Sequence, residues 1–410
     1  MATDTDIAVA AHYAAYPYPA RNPADEAKRL IEGSPSRLAE IEHYLFDGRL
    51  PEPFRALVAG GGSGDATIML AQHMADRKLA GEVVWLDLSP AARAVAEARA
   101  AARGLTNIRF VEGSLLDAEA AVGGGFDYVD CCGVLHHLAA PEAGLAALRA
   151  VLKATGGLGV MVYGAIGRRG VYDMQALGDV LAPQSLPPAE RLAVGRRLFA
   201  DLPPSHWLKR NPFVRDHLDG GDAGFYDLLL HARDRAYTVP EFVALATSAG
   251  LEIVSFIEPA LYDPAAYLRD PKLKAKAAAL PPLAQAAMAE QIAGMLTKHV
   301  AYLAPDARRP AAPDDPGLIP ILRDGDGPAL AGALRSGRIV AKHMGVEIAI
   351  PVPKLAPAMV RRIDGERTLG EIAEDLRQAD AALNWPKFQA AFQDTFQALH
   401  RLNLIWLRRP

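Results

Sequence analysis

The chain has 410 residues, enough for roughly two or three domains with substantial cores, and a formal net charge of −4 that leaves no basic footprint for nucleic acid. Half of the residues are hydrophobic, yet no apolar run is long enough to span a bilayer, and the Met1-Ala2-Thr3-Asp4 start lacks the shape of a signal peptide. The two cysteines, Cys131 and Cys132, are adjacent, which excludes a disulfide framework or a cysteine metal site and reads as a cytoplasmic, metal-independent protein.

In chain order, the segment His12-Tyr13-Ala14-Ala15-Tyr16-Pro17-Tyr18-Pro19-Ala20-Arg21-Asn22-Pro23 is a poor helix, because its prolines fix an extended path. Ala56-Leu57-Val58-Ala59 reads as a strand covered on both faces. Gly60-Gly61-Gly62-Ser63-Gly64 follows as a turn that brings backbone close to a ligand with no Cβ in the way, and Asp65-Ala66 opens a helix with free N–H groups. About 20 residues on, a second strand, Val83-Val84-Trp85-Leu86, ends in Asp87, placed to accept both hydroxyls of a ribose.

Leu105 to Asp117 reads as a third strand and its loop, and Gly125 to Leu138 as a fourth strand running into a loop. Leu152 to Tyr163 reads as a helix end, a turn at Gly156-Gly157 and a fifth strand. The next segment, Gly164 to Arg235, opens with Gly167-Arg168-Arg169-Gly170-Val171-Tyr172. It ends on a stretch whose His231, Asp234 and Arg235 either line a polar cavity or close a helix with solvated charges. Thr238 to Ile257 reads as a helix and sixth strand, Asp263 to Lys298 as helical, and His299 to Ala304 as a seventh strand. A proline-rich linker, Pro305 to Pro316, leads to a last module. There Asp364-Gly365 marks a turn, Thr368 and Glu371 form a capping box, Phe388 to Leu402 is a helix and Leu404 to Leu407 a closing strand.

Taken together, Gly60-x-Gly62-x-Gly64, Asp87, the run FDYVDCCGVLHHL at 126–138 and the run LKATGGLGVMVY at 152–163 resemble the class I S-adenosylmethionine (SAM) methyltransferases. The resemblance is close over roughly residues 55–165 and looser to about 305. A dinucleotide fingerprint needs G-x-G-x-x-G, and Asp65 stands where its third glycine belongs, which weakens a nicotinamide dehydrogenase.

The resemblance implies an α/β fold: a doubly wound, mostly parallel seven-stranded sheet. It implies a SAM-binding core over 51–305 with a helical insertion at about 166–236, an N-terminal lid segment over 1–50, and a small α+β module over 317–410. That module loosely resembles winged-helix domains related to PqqD, some of which grip peptides by adding a strand. The implied cofactor is S-adenosyl-L-methionine. Its expected contacts are Gly60, Gly61, Gly62, Gly64, Asp87, Leu88, Ser114, Leu115 and Gly133, together with Tyr16 and Arg21 from the lid. Tyr16 would face the sulfonium and Arg21 the methionine carboxylate. Ser114 stands where many members carry an acid for the adenine amino group, with Asp117 as the fallback acceptor.

The sulfonium methyl is already activated, so the enzyme needs an aligned nucleophile and a group to take its proton. His136 (with His137 beside it) and Tyr163 are the candidates, since ligands in this fold sit beyond the carboxyl ends of the strands. No Asn-Pro-Pro-Tyr or Asp-Pro-Pro-Tyr follows the fourth strand, which disfavours methylation of planar amides or base amino groups. The leading expectation is transfer to an oxygen or nitrogen of a small metabolite or natural product. The alternatives are a polypeptide acceptor docked on the C-terminal module and a non-catalytic SAM-binding scaffold. Nucleic acid and membrane are not expected partners; a homodimer is compatible with the sequence.

Overall fold

The small and branched side chains of strand β1 (Phe54–Ala59) leave it no polar face: Leu57 and Ala59 enter one apolar cluster, while Ala56 and Val58 enter another. A strand buried this way belongs in the middle of a sheet with helices on both sides. The computed structural model, which describes residues 21–410, places it there. Around it lie β2 (Gly81–Asp87), β3 (Ile108–Glu112), β4 (Phe126–Cys132), β5 (Leu152–Gly164), the two-residue β6 (Ala236–Tyr237), β7 (Glu252–Phe256) and β8 (Lys298–Ala304). The order is β3-β2-β1-β4-β5-β8-β7, parallel except for β8, which runs antiparallel to both neighbours. β6 pairs in parallel with the end of β5, extending the expected seven strands by one short piece.

Two local expectations need correction. Gly156-Gly157 lies inside β5, which extends from Leu152, but its pairing with β4 breaks there: Phe126 faces Leu152 and Tyr128 already faces Gly157, so the glycines close a bulge within the strand and not a turn before it. A Cβ on Gly156 would stand 2.7 Å from Leu152 Cδ1, and one on Gly157 2.6 Å from Leu45 Cδ1, so close packing accounts for both. The 1–50 segment is not wholly a lid either. Helix α1 (Leu38–Leu45) buries Leu38, Ile41, Tyr44 and Leu45 against the sheet, so this part belongs to the core.

Just before α1 the chain carries polar groups into that core. The Tyr128 and Tyr302 hydroxyls both donate to Pro35 O, at 2.7 and 2.8 Å, and Ser36 Oγ donates to Asp130 Oδ2 at 2.6 Å. Glu40 accepts from Ser34 Oγ at 2.8 Å and from the Tyr302 hydroxyl at 3.2 Å. Burial pushes the carboxyls up, Glu40 to about 7 and Asp130 to about 6. Glu40 therefore keeps its proton in the folded chain while the unfolded chain has lost it, so its contribution to stability falls as pH rises from about 4.5 to about 7. Glu40→Gln cannot ionise. Its melting temperature relative to the parent is expected to rise between about pH 5 and about pH 8; an equal difference at both would place the raised acid elsewhere.

Helices α2 (Asp65–Asp76) and α3 (Pro90–Ala102) flank β1 and β2. Between β5 and β6 lies a helical insertion with its own apolar cluster, built mainly from α4 (Val171–Leu181), α5 (Pro188–Asp201) and α6 (Gly221–Leu229). No helix among the described residues is long and apolar enough to cross a membrane.

The C-terminal part pairs β9 (Ile319–Leu322) with β12 (Ile405–Arg408) and folds β10 (Arg338–His343) with β11 (Val346–Pro351) into a hairpin. Its helices α7 (Leu369–Ala379) and α8 (Trp385–His400) cover them, with the Thr368–Glu371 capping box at the start of α7. This part is not set apart by a free linker. Ala311 N–H donates to His43 O, Leu407 N–H to His43 Nδ1 and the Tyr44 hydroxyl to Asn403 Oδ1, and Trp406 shares a buried cluster with Ile41 and Tyr44.

Candidate active site and cofactor loop

The glycines after β1 are fixed by what surrounds them. A Cβ on Gly60 would stand 2.4 Å from Val134 Cγ2, and one on Gly61 2.2 Å from Trp85 Cδ1. Trp85 is fully buried on β2, and its Nε1–H donates to Gly62 O at 3.0 Å, so the strand beside the loop also shapes it. Gly62 itself faces open space, with the nearest atom to a built Cβ 4.0 Å away. Gly64 caps α2 in a left-handed conformation. Asp87 at the end of β2 accepts from Gly62 N–H at 2.8 Å and from Ser89 N–H at 2.9 Å. A carboxylate has about four acceptor sites, so two remain for hydroxyls.

Of the other expected cofactor contacts, Leu88 follows Asp87 and is 72% exposed, an apolar surface that a ligand ring would cover. Ser114 Oγ accepts from Leu116 N–H and caps a single turn, Leu115–Asp117. The Leu115 side chain is turned into the core and Leu116 is the exposed residue of that turn; the expected contact of Leu115 is through its backbone, which burial of the side chain leaves open. Asp117 lines a depression of about 400 Å³ with Leu116, Glu119 and Ala147, formed without any residue of the glycine loop. Gly133 directly follows β4 and donates to Met161 O. Tyr16 lies outside the described residues.

Arg21 meets Asp65 instead of open space, with NH2 to Oδ2 at 2.6 Å. Asp65 also receives Arg99 NH1 at 2.7 Å, Arg99 Nε meets Glu26 at 2.6 Å, and Arg103 joins Glu26. These ion pairs tie residues 21–26 to the first turn of α2, and burial of Asp65 is outweighed by its two arginines, so its pKa is lowered.

A second constellation stands at the ends of β4 and β5. His136 is fully buried, and neither ring nitrogen has a partner among the described residues. Its ring stacks on Tyr163 at 3.9 Å between centroids. The Arg168 guanidinium lies 3.7 Å from the same Tyr163 centroid, and two groups this close to one ring centre take its two faces. Arg168 NH2 bonds Asp234 Oδ2 at 2.9 Å, and its Nε–H donates to the Tyr172 hydroxyl at 3.2 Å. Gln175 Nε2 also donates to Asp234, at 3.1 Å. His137 Nδ1 meets Arg233 O at 2.9 Å, and its ring stacks on His231 at 4.0 Å. Burial, then the positive fields of His137, Arg168 and His231, hold His136 well below its ordinary value, so the imidazole is neutral. Burial likewise lowers His137 and raises both cysteine thiols, Cys132 to about 12, which leaves no thiolate nucleophile.

The structure thus brings His136 and Tyr163 together and collects the glycine loop with Asp87 at the same ends of the sheet. Arg168 as a partner of Tyr163 was missed in the sequence, where it is one arginine of an Arg-Arg pair with no mark of its ring contact.

Residues 57–158 match the model of a family described as a methyltransferase domain. These residues are a methyltransferase domain, and the sheet has the class I methyltransferase fold. Two structures of PKMT2 from Rickettsia typhi, one in complex with AdoHcy, share its fold at a TM-score of 0.62. They are 13% and 14% identical, and the matches cover 91% and 92% of this chain and 75% and 77% of theirs. An uncharacterized protein of Synechococcus sp. is 31% identical over 265 residues, 63% of this chain, and the match spans 61% of that relative's length. The cofactor of this domain class is S-adenosyl-L-methionine. The site fits it: Asp87 has acceptor capacity for the ribose, Gly62 opens onto free space, and no phosphate cradle is required.

Proposed function

We propose that the protein is a SAM-dependent methyltransferase acting on an oxygen or nitrogen nucleophile of a small metabolite or natural product. The observation that carries this reading is the enclosed His136–Tyr163 stack at the ends of β4 and β5, under the helical insertion. A buried imidazole with unpartnered nitrogens is costly to keep, and an acceptor hydroxyl or amine would satisfy it.

The sulfonium supplies an activated methyl group when bound. The chain's part is to hold the acceptor in line, worth ~7–11 kcal/mol when well oriented. In this reading Asp87 fixes the ribose, the glycine loop admits the nucleoside, and His136 takes the acceptor proton on a ring nitrogen. Tyr163 aligns that ring and offers its hydroxyl as a second proton acceptor. Gly133 and the residues 21–26 latched to α2 border the cofactor in the same reading, with Ser114 and Leu116 beside the adenine.

Asp87→Ala is expected to weaken SAM binding by about 1.5–3 kcal/mol, because a charged acceptor is lost and the Gly62 N–H it holds is freed. Calorimetry reads this directly; unchanged affinity would put the ribose elsewhere.

The acceptor class is tested by incubating the protein with methyl-labelled SAM and lysate of its source, then precipitating with acid. Label in the soluble fraction supports a metabolite. Label in the precipitate supports the second reading, a polypeptide acceptor engaged by the β10–β11 hairpin, where Val340 and Met344 are exposed. Bound SAM with no labelled product would leave a scaffold subunit. We also infer a cytoplasmic setting, since Cys131 and Cys132 are free thiols.

A further inference from the structure

The helical insertion leaves β5 and returns to it at β6, and its two ends are joined by one ion pair. Arg168 stands just after β5 and Asp234 just before β6; their side chains are 4% and 0% exposed. The pair does more than close a loop. Asp234 and the Tyr172 hydroxyl hold the guanidinium flat enough to lie 3.7 Å from the Tyr163 ring centre, and Tyr163 lies 3.9 Å from His136. The order Asp234, Arg168, Tyr163, His136 is a continuous chain of contacts from the insertion to the proposed proton acceptor. A cation on an aromatic face is attracted more strongly when both are out of water, as here.

We propose that Arg168 is a positioning residue, clamped by Asp234, that presses the Tyr163 ring onto His136 and so sets the imidazole in one orientation. The proposal rests on the methyl-transfer reading for its purpose but not for its test. His136 is packed against Tyr163 of β5 and His137 of its own loop; the charges of Arg168 and His231 of the insertion act on it, and that of Asp234 acts on His137 beside it. Its ring nitrogens have no hydrogen bond among the described residues to fix its orientation, which leaves stacking to do it.

Breaking a buried ion pair by removing one partner is destabilising, whereas replacing both partners with apolar residues is often neutral. The variant to make is therefore Arg168→Met with Asp234→Leu, with Arg168→Met alone as the comparison. Histidine-labelled protein gives the His136 ring resonance by NMR, assigned through His136→Gln. In the parent, the stack on Tyr163 displaces that resonance upfield. The double variant is expected to melt near the parent temperature, to lose the upfield displacement, and to transfer labelled methyl at least tenfold more slowly while its SAM affinity stays within threefold. Tyr163→Phe, which keeps the ring, should retain the displacement.

A double variant that folds and keeps the parental His136 resonance would overturn the proposal and leave the pair a structural clasp. Should the double variant melt far below the parent, Arg168→Lys decides: a stable Arg168→Lys protein that keeps the parental resonance overturns the proposal, and a stable one that loses it supports it. A parent that binds SAM but transfers no methyl defeats the enzymatic reading alone, because the resonance needs no acceptor.

Discussion

A chain ending at Pro316 is expected to be insoluble or to melt without cooperativity, even though it retains the whole eight-stranded sheet. The reason is α1. Its Ile41 and Tyr44 pack in one buried cluster with Trp406 and beside Ile321, and its His43 ring lies 5.8 Å from Phe396 and 4.9 Å from His400. Tyr44 also donates to Asn403 Oδ1 at 3.2 Å, and Ala260 N–H donates to Arg401 O. Loss of a single buried Phe or Trp costs about 3–5 kcal/mol, against a net stability of about 5–15 kcal/mol for a whole domain. Removing Trp406, Phe396 and Ile321 at once exhausts that margin. The conservative form of the test is Trp406→Ala in the full chain, expected to lower stability by about 3–5 kcal/mol in a denaturant titration. A truncated chain that stays soluble and melts in one sharp transition would show the C-terminal part to be an independent appendage.

His136→Gln is expected to reduce methyl transfer by roughly 10²–10⁴-fold, the usual worth of a positioned proton acceptor, while leaving SAM affinity unchanged. Burial and the surrounding positive fields keep His136 in the neutral form that can take a proton, and they also make it a weaker base than a free imidazole. Tyr163→Phe separates the two members of the stack, since it keeps the ring contact and removes only the hydroxyl. A fall in rate with His136→Gln and little change with Tyr163→Phe assigns the proton to the imidazole; the opposite pattern assigns it to the phenol. Parental rates in both would remove the stack from the chemistry.

What was legible in the sequence was what lies close together along the chain. The strand, glycine loop and Asp87 are read within about thirty residues because each dictates a local backbone shape. The same holds for the capping box at Thr368 and Glu371. The readings that failed depend on contacts between distant residues. Gly157 reads as a turn residue until Leu45, more than a hundred residues earlier, is found where its Cβ would be. Nor do the letters of Leu115 and Leu116 say which side chain faces outward, which packing decides. The Arg168–Asp234 pair spans 66 residues, and the Leu407–His43 bond spans 364. Nothing in composition or period marks such partners. The His136–Tyr163 stack sits between these cases: both residues end predicted strands, so their nearness was implied, while the arginine pressed on the ring was not.

The ion pairs around Asp65 have a bearing on which nucleosides can enter at all. The start of a helix attracts anions through its unpaired N–H groups and its dipole, and phosphate-binding loops exploit this. Here the first helical residue supplies an anion of its own, and Arg21 and Arg99 are already engaged with it. A pyrophosphate brought to this loop would find the first turn already holding a carboxylate, with both of its arginines engaged. In the proposed reading, that occupied helix start favours an adenosine whose tail carries a sulfonium over a nucleotide whose tail is a pyrophosphate. Replacing Asp65 with the glycine of a dinucleotide loop would not convert one preference into the other, because it would take from Arg21 and Arg99 the carboxylate they share and leave Arg99 held by Glu26 and Ser63 O.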